Sequence, residues 1–261
     1  RIARGTHRNL PISTIVHQIR HAEALELNEI VLTGINLAAW GCENTRQPEG
    51  ARLHELLFEI LEQTDIPRIR LSSLGPQYLQ PGFFEVLADE RICDHLHLSV
   101  QSGCDSVLQR MARGHGVEEV LSVAERARAV RPDVGLAADM IVGFPGETDA
   151  EFAKTLRTVR KVYFSKLHVF PFSPREGTRA ADMTEAVQQE LKKRRAAELR
   201  ELGNELRDAF IASQLGTEQQ VLVENSETGL TTNYLRVAVP CAKESEIHTV
   251  RLNAGTVMRG S

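Results

Sequence analysis

Residues 135–149 read Gly135-Leu-Ala-Ala-Asp-Met-Ile-Val-Gly-Phe-Pro-Gly-Glu-Thr-Asp149. The first part, rich in Leu, Ala, Ile and Val, makes a strand short enough for a parallel sheet. Two glycines and a proline then specify a tight turn. Glu147 and Asp149 suit the start of a helix, whose free N–H groups favour carboxylates. The stretch is a strand–turn–helix unit, and the theme recurs on both sides of it. Further strands are expected at 29–33, 68–72, 95–100 and 166–170. Helical patterns lie between them, at about 52–63, 82–89, 104–111 with 117–130, and 149–162. An earlier helix opens at Pro11, where a missing N–H is harmless, and carries Ile12, Ile15, Val16 and Ile19 at helical spacing. Strands alternating with helices imply parallel βαβ units with right-handed crossovers. The fold class is therefore α/β. Because the series starts with a helix, a strand ahead of Arg1 is expected to be missing from it.

After Pro174 the pattern changes. A loop containing Gly177 leads into a long charged helix expected over 184–214, with Thr184 as its N-cap and Gly216 as its stop. Val187, Leu191, Leu199, Leu202, Leu206 and Phe210 form its apolar stripe. Strand-like runs at 219–223, 234–239 and 247–252 follow, punctuated by Pro240 and glycines, and read as a small β-barrel module. The expected division is 1–183, 184–214 and 215–261.

The 261 residues leave room for one large α/β domain and a small appendage. With 42% hydrophobic and 25% charged residues, the chain has a core to bury and is not composed like a disordered one. A net charge of −4 argues against a protein that coats polyanions, while leaving local basic patches open. No apolar run approaches the roughly 20 residues that span a bilayer. Arg1-Ile2-Ala3-Arg4 does not open a secretory signal, and with no initiator Met the expectation is part of a longer, cytoplasmic product. Cys42, Cys93, Cys104 and Cys241 form no CxxC pair, so a zinc site or a disulfide framework is disfavoured and unlinked thiols are expected. Cys42, in a polar loop after Gly41, stays open as a functional residue.

In such folds ligands bind at the C-terminal strand ends. Here these are Thr33-Gly34-Ile35-Asn36, Ser72-Ser73, Gln101-Ser102-Gly103, the turn from Gly143, and Phe170-Pro171-Phe172. Gly34 permits a close approach to backbone, and Asn36 can donate and accept, although an ordinary strand-to-loop turn would look the same. The helix start after Gln101-Ser102-Gly103 can hold a carboxylate or hydroxyls, or is simply capped by Ser102 or Asp105. By physics alone the Gly143 turn is structural. Arg1, Arg4, His7 and Arg8 form one basic cluster and Lys192-Lys193-Arg194-Arg195 another; either meets phosphates or is a solvated face. His17, His21, His54, His115 and His168 are scattered, with no metal constellation among them. The lack of a GxSxG elbow weakens a triad hydrolase.

Taken together, these strings resemble the radical-SAM methylthiotransferases. The likeness is to the MtaB type, the threonylcarbamoyladenosine tRNA methylthiotransferases, more than to the MiaB and RimO relatives. It runs through Arg4-Gly5 to Pro11, Glu29-Ile-Val-Leu-Thr-Gly-Ile-Asn36, Arg70-Leu-Ser-Ser73 and His95-Leu-His-Leu-Ser-Val-Gln-Ser-Gly103. It continues through Leu108-Gln-Arg-Met111 with Arg113, Asp139 to Thr148, and His168-Val-Phe-Pro-Phe-Ser-Pro174 with Gly177-Thr178. Thr232-Asn233-Tyr234-Leu235-Arg236-Val237 is similar to the TRAM module that ends these enzymes.

The resemblance implies a partial (β/α)6 radical-SAM barrel lacking its first strand, a small TRAM-like β-barrel, and S-adenosylmethionine as ligand. Thr33, Gly34 and Asn36 would face its methionyl end. Ser72, Gln101 and Arg113 would approach its ribose or carboxylate, and Gly143 and Phe170 would shape the adenine region. Arg4, Arg8, Lys192, Lys193, Arg194 and Arg195 are the expected tRNA contacts. The family reaction replaces an adenine C–H with a methylthio group: a reduced [4Fe-4S] cluster cleaves S-adenosylmethionine to a radical that abstracts hydrogen, and a second S-adenosylmethionine supplies the methyl.

The departures are specific. The family's CxxxCxxC triplet, the N-terminal domain with the second cluster, and the strand before the triplet are absent from this sequence, so no metal ligand is assigned. Gly75 stands where relatives often carry Glu. Residues 214–261 hold four Lys/Arg and five Asp/Glu, so the module is not basic. The expectation is the C-terminal part of a tRNA methylthiotransferase that cannot run the radical step alone, with an exposed barrel edge that favours self-association. The alternatives are a non-catalytic relative that binds RNA or a protein, and an unrelated α/β barrel enzyme.

Overall fold

The computed structural model describes residues 8–240 and 242–258. Five parallel strands follow the expected alternation: β1 (Glu29–Leu32), β2 (Arg68–Leu71), β3 (His95–Gln101), β4 (Gly135–Val142) and β5 (Lys166–Pro171). β1 pairs with β2, and β3, β4 and β5 pair in that order. Parallel bridges Ile69–Ile92 and Leu74–Leu98 connect the two groups, so the strands form one series in chain order. The helices α1 (Ile12–Ala24), α2 (Leu53–Gln63), α3 (Pro81–Leu87), α4 (Asp105–Arg110), α5 (Val117–Val130) and α6 (Asp149–Val162) alternate with them.

Period-two alternation divides each strand between two faces. Leu136, Ala138, Met140 and Val142 of β4 are fully buried, as are Leu96, Leu98 and Val100 of β3, and both sets join the core that includes Leu56, Ile60, Val120 and Val159 of the helices. Each of the Val, Leu, Ile and Met side chains among them contributes about 1.5–3 kcal/mol by leaving water. The other face carries Glu29, Arg68, Arg70, His95, His97, Ser99, Asp139, Lys166, His168 and Phe170. This inner face is where the polar chemistry collects.

α7 (Gln189–Gln214) packs against β5, with Ala196, Leu199, Leu202 and Leu206 buried. It starts five residues later than the expected Thr184. The intervening segment is non-helical: the Gly146 N–H donates to the Glu185 carbonyl, which ties it to the turn after β4, and the Ala186 N–H turns back to the Thr184 carbonyl. The chain ends in an antiparallel sheet of order β8-β7-β6-β9: β6 (Glu218–Val223), β7 (Thr228–Thr231), β8 (Arg236–Ala238) and β9 (Ile247–Arg251). A further bridge, Val237–Val257, brings the segment after β9 against β8. The expected strand over 234–239 is shorter, and β7 was not anticipated. Tyr234 (φ 73°) sits in the tight turn between β7 and β8.

The C-terminal sheet covers the inner face at the N-terminal strand ends. Arg68 donates to the Gln220 and Leu230 carbonyls, and Arg70 to those of Thr231 and Thr232. His95 stacks on Tyr234 with centroids 4.3 Å apart. Gly135 lies so close to the Asn233 carbonyl that a Cβ would collide with it. Both arginines also pair with Glu29: Arg70 Nε and Nη2 at 2.8 and 3.0 Å, Arg68 Nη2 at 2.8 Å. Burial pushes the Glu29 carboxyl up, but the Arg70 and Arg68 charges outweigh it and hold it below the usual range. Beside them the Cys93 thiol is pushed up to about 11, chiefly by burial. At this end the inner face is covered, and both arginines share the single Glu29 carboxylate and the sheet's carbonyls.

Candidate functional site

The opposite, C-terminal ends of β1–β3 open onto a cleft of about 440 Å³. Its walls include Ile35 and Asn36 after β1, Ser73 and Gly75 after β2, Ser99 on β3, and Ala112 to His115 between α4 and α5. The loop after β1 is anchored by a 3₁₀ turn, Leu37–Ala39, whose three residues are buried and hold the half-buried Asn36 in place. Tyr78 closes one wall and donates to the Thr45 carbonyl at 2.6 Å. A Cβ on Gly75 would lie 2.9 Å from the Tyr78 ring, so this turn has no room for a side chain as packed.

Arg113 brings a cation to this cleft and, among the described residues, has no ion pair or side-chain hydrogen bond. Packing around its guanidinium pushes its pKa down, and the Asp139 charge opposes that shift. The Ser72 hydroxyl, beside the cleft-lining Ser73, is buried without a hydrogen-bond partner. His115 is buried, with Nε2 3.0 Å from the Val100 carbonyl and Nδ1 3.2 Å from the Gln77 amide. Burial lowers its pKa, which favours the neutral ring. With Nε2–H donating to Val100, Nδ1 accepts, so Gln77 must turn its NH₂ to the ring and its carbonyl away.

Of the residues expected to face S-adenosylmethionine, the structure brings Asn36 and Arg113 together at this cleft, with Ser72 behind its wall. Thr33 and Gly34 are exposed at the end of β1. Gln101 is buried at the end of β3 in a left-handed conformation (φ 74°), next to an irregularity in the β3–β4 register. Phe170 is 52% exposed on the inner face of β5. Gly143 lies elsewhere: its N–H donates to Glu147 at 2.7 Å, and it packs against Lys192.

That contact corrects the second basic cluster. Lys192 and Arg195 are not surface residues; they occupy the buried face of α7. Arg195 donates to Glu147 at 2.9 Å and Asp149 at 2.8 Å, and Lys192 to the Phe172 carbonyl at 3.2 Å. Their charges are committed to holding the 143–148 turn on α7, so they are unavailable to phosphates. Lys193 and Arg194 are exposed, as is Arg8; Arg4 lies outside the described residues. Ser102 and Asp105 also have structural partners. The Ser102 hydroxyl accepts from the Cys104 N–H at 3.3 Å, and Asp105 caps α5 through the Val117 N–H at 2.7 Å. Cys42, Cys93 and Cys104 are buried free thiols on separate elements, and Cys241 lies outside the described residues.

One group escaped the sequence reading. His97 of β3, Asp139 of β4 and His168 of β5 form a row on the inner face. His97 Nε2 lies 3.0 Å from Asp139 Oδ1, and the two imidazoles stack with centroids 5.2 Å apart and planes 3° from parallel. The available signal was strand register: all three positions share one face once the strands pair in parallel.

Comparison with known proteins agrees with this architecture. The family model for the radical SAM superfamily matches residues 1–159. The chain belongs to the radical SAM superfamily. It is 37% identical over 235 residues to a threonylcarbamoyladenosine tRNA methylthiotransferase MtaB from Rickettsia prowazekii, which covers 90% of this chain and 55% of the relative. It is 39% identical over 222 residues to a tRNA-2-methylthio-N(6)-dimethylallyladenosine synthase from Anoxybacillus flavithermus, covering 85% of this chain and 42% of that one. The chain thus spans about half the length of these curated relatives. Coproporphyrinogen III oxidase (HemN) from Escherichia coli, a solved radical SAM enzyme, aligns at 15% identity with a TM-score of 0.51, over 88% of this chain and 59% of that one. The shared fold is α/β. No helix among the described residues is long and apolar enough to cross a membrane.

Proposed function

We propose that the chain is the barrel and C-terminal portion of a tRNA methylthiotransferase acting on threonylcarbamoyladenosine beside the anticodon. On this reading the parallel series is a partial (β/α)6 barrel within 1–183, joined through 184–214 to a TRAM-like module in 215–261. The supporting observation is the cleft, which, among the described residues, offers an unpaired guanidinium at Arg113 and an unpartnered buried hydroxyl at Ser72 in a setting of neutral donors and acceptors. S-adenosylmethionine carries a carboxylate, an ammonium and ribose hydroxyls, and this set suits them. When bound, it supplies the methyl group and, on reduction, the power to abstract hydrogen. The chain's own part is to hold it: Arg113 at the carboxylate, Asn36 and Ser73 as neutral partners, and Gln77, turned by His115, presenting a carbonyl to the cleft.

The described residues do not fit an iron–sulfur cluster. Among them no group of three or more His, Cys, Asp or Glu could hold a metal ion, and Cys42, Cys93 and Cys104 are dispersed. On this reading the cluster ligands lie in other parts of the full-length enzyme, and these 261 residues alone are expected not to turn over. Arg8, Lys193 and Arg194 remain as candidate tRNA contacts. Self-association through the outer edge of β1, which pairs only with β2 among the described residues, belongs to the same reading. The relatives' names favour the transferase over a non-catalytic binding protein.

Two measurements test this. Equilibrium dialysis with S-adenosylhomocysteine should show binding, weakened about tenfold or more by Arg113→Met, because a charge-assisted contact is lost; equal affinities would remove Arg113 from the site. Nucleoside mass spectrometry of tRNA from cells lacking the gene should show threonylcarbamoyladenosine without its methylthio group. Persistence of the methylthio form would overturn the assignment.

A further inference from the structure

The two relatives modify adenosines with different N6 substituents, and their identities to this chain, 37% and 39%, do not separate them. One substituent is a threonylcarbamoyl group, polar and ending in a carboxylate; the other is an apolar dimethylallyl group. The inner face of the barrel bears on that choice. At the N-terminal strand ends it is closed by the C-terminal sheet, through the His95–Tyr234 stack and the Gly135–Asn233 contact. One layer higher lie His97, Asp139 and His168, all partly exposed, so they floor the open part of the lumen. An apolar substituent would call for an apolar floor. This one is polar.

We propose that the His97–Asp139–His168 row reads the N6 substituent of the target adenosine and selects the threonylcarbamoyl over the dimethylallyl group. This rests on the tRNA methylthiotransferase reading above. His97 Nε2 lies 3.0 Å from Asp139 Oδ1 and its ring stacks on His168, so the row sets two imidazoles and a carboxylate side by side as partners for the substituent's polar groups. His168 has no hydrogen-bond partner among the described residues, so its ring offers one N–H donor and one acceptor to an incoming group. The groups facing it are His97, Lys166 and Asp139. Burial is the chief cause that lowers its pKa, with His97 and Lys166 acting in the same direction and Asp139 against them. The free imidazole is thus held neutral, and a carboxylate placed beside it would draw a proton onto it. A dimethylallyl group would leave these donors and acceptors buried and unpaired, and sites built to hydrogen-bond a substituent reject the analogue that lacks it.

The test uses the full-length enzyme that contains this chain and three anticodon stem-loop RNAs that carry adenosine, N6-threonylcarbamoyladenosine or N6-dimethylallyladenosine. Fluorescence anisotropy should show the threonylcarbamoyl stem-loop bound at least about tenfold tighter than the dimethylallyl one. His168→Leu should bring that ratio close to one and leave affinity for the unmodified stem-loop unchanged; His168→Asn, which keeps a donor, should retain part of the preference. By NMR the His168 pKa should rise when the threonylcarbamoyl stem-loop is added and stay put with the dimethylallyl one, a response a merely structural histidine would not give. Binding of all three stem-loops without preference, or a preference that survives His168→Leu, overturns this proposal and leaves the tRNA reading standing. Failure to bind any stem-loop overturns both.

Discussion

Glu29→Gln should be among the most damaging single changes in the chain, although it lies far from the proposed S-adenosylmethionine cleft. Among the described residues its carboxylate is the sole acidic partner in the ion pairs of Arg68 and Arg70, whose side chains are 1% and 5% exposed. At an effective dielectric of about 20, each pair is worth about 4 kcal/mol of gross attraction at a charge separation near 4 Å. Desolvation of the carboxylate offsets part of this, and the guanidiniums keep four backbone carbonyls as acceptors. What remains after substitution is two buried like charges with no counter-ion, for which the measured cost is about 3–5 kcal/mol. In a chain of this size that lowers Tm by roughly 10 °C, at about 2–4 °C per kcal/mol. Urea unfolding followed by circular dichroism measures it. Adding Arg70→Met to Glu29→Gln should recover about 1–3 kcal/mol, because it removes one of the stranded charges. The gap between wild type and Glu29→Gln should also close in acid: the folded pKa of Glu29 is lowered, so its contribution is complete above the unfolded value of 4.5 and is lost as pH falls through the folded one. A loss under about 1 kcal/mol at neutral pH, or strict additivity in the double variant, would refute the buried-charge argument.

Three further outcomes follow from the same packing. Glu151, held to about 2 mainly by its hydrogen bond to Arg110, should stabilise the fold above pH 4.5 and lose that effect as pH falls from 4.5 to about 2, so wild type and Glu151→Gln should converge over that window in pH-dependent urea titrations. Gly135→Ala sets a methyl against the Asn233 carbonyl and should cost about 1–3 kcal/mol, with proteolytic cleavage appearing first in the C-terminal sheet as its docking loosens. Arg195→Ala should cost about 3–5 kcal/mol by stranding the buried Glu147, whereas Arg194→Ala, exposed and 3.9 Å from Asp149, should stay within about 0.5 kcal/mol in the same denaturation assay.

The parallel strands and the helices between them were legible because each obeys one period: two for strands buried by helices, 3.6 for the helices. β4 and α5 were read to the residue as Gly135–Val142 and Val117–Val130. What failed were features set by tertiary contacts. Thr184 looks like an N-cap, but the Gly146–Glu185 hydrogen bond commits the chain past it to the turn after β4. β7 is short and contains Gly229, where a Cβ would lie 2.5 Å from Val221, so it carries little local strand signal. Lys192 and Arg195 sit in a run of four charges that reads as a solvated face. Only the distant partners, Glu147 for Arg195 (48 residues away) and the Phe172 carbonyl for Lys192 (20 residues away), show why two of the four turn inward.

The distribution of charge along the barrel axis explains why function belongs at one end. Many strand residues on the inner face are polar, which is costly unless each is paired or wet. At the N-terminal ends Arg68 and Arg70 are answered by Glu29 and by carbonyls of the C-terminal sheet, which covers them. At the C-terminal ends the same face runs up through His168 to the unpaired Arg113 and the unpartnered Ser72 hydroxyl. The sheet that seals the bottom therefore also directs ligands to the top. If it were loosened, for example by Gly135→Ala, water would reach the His95 layer beneath the His97–Asp139–His168 floor. The tRNA preference proposed for that floor should then weaken together with stability, although Gly135 lies on the sealed side of the barrel.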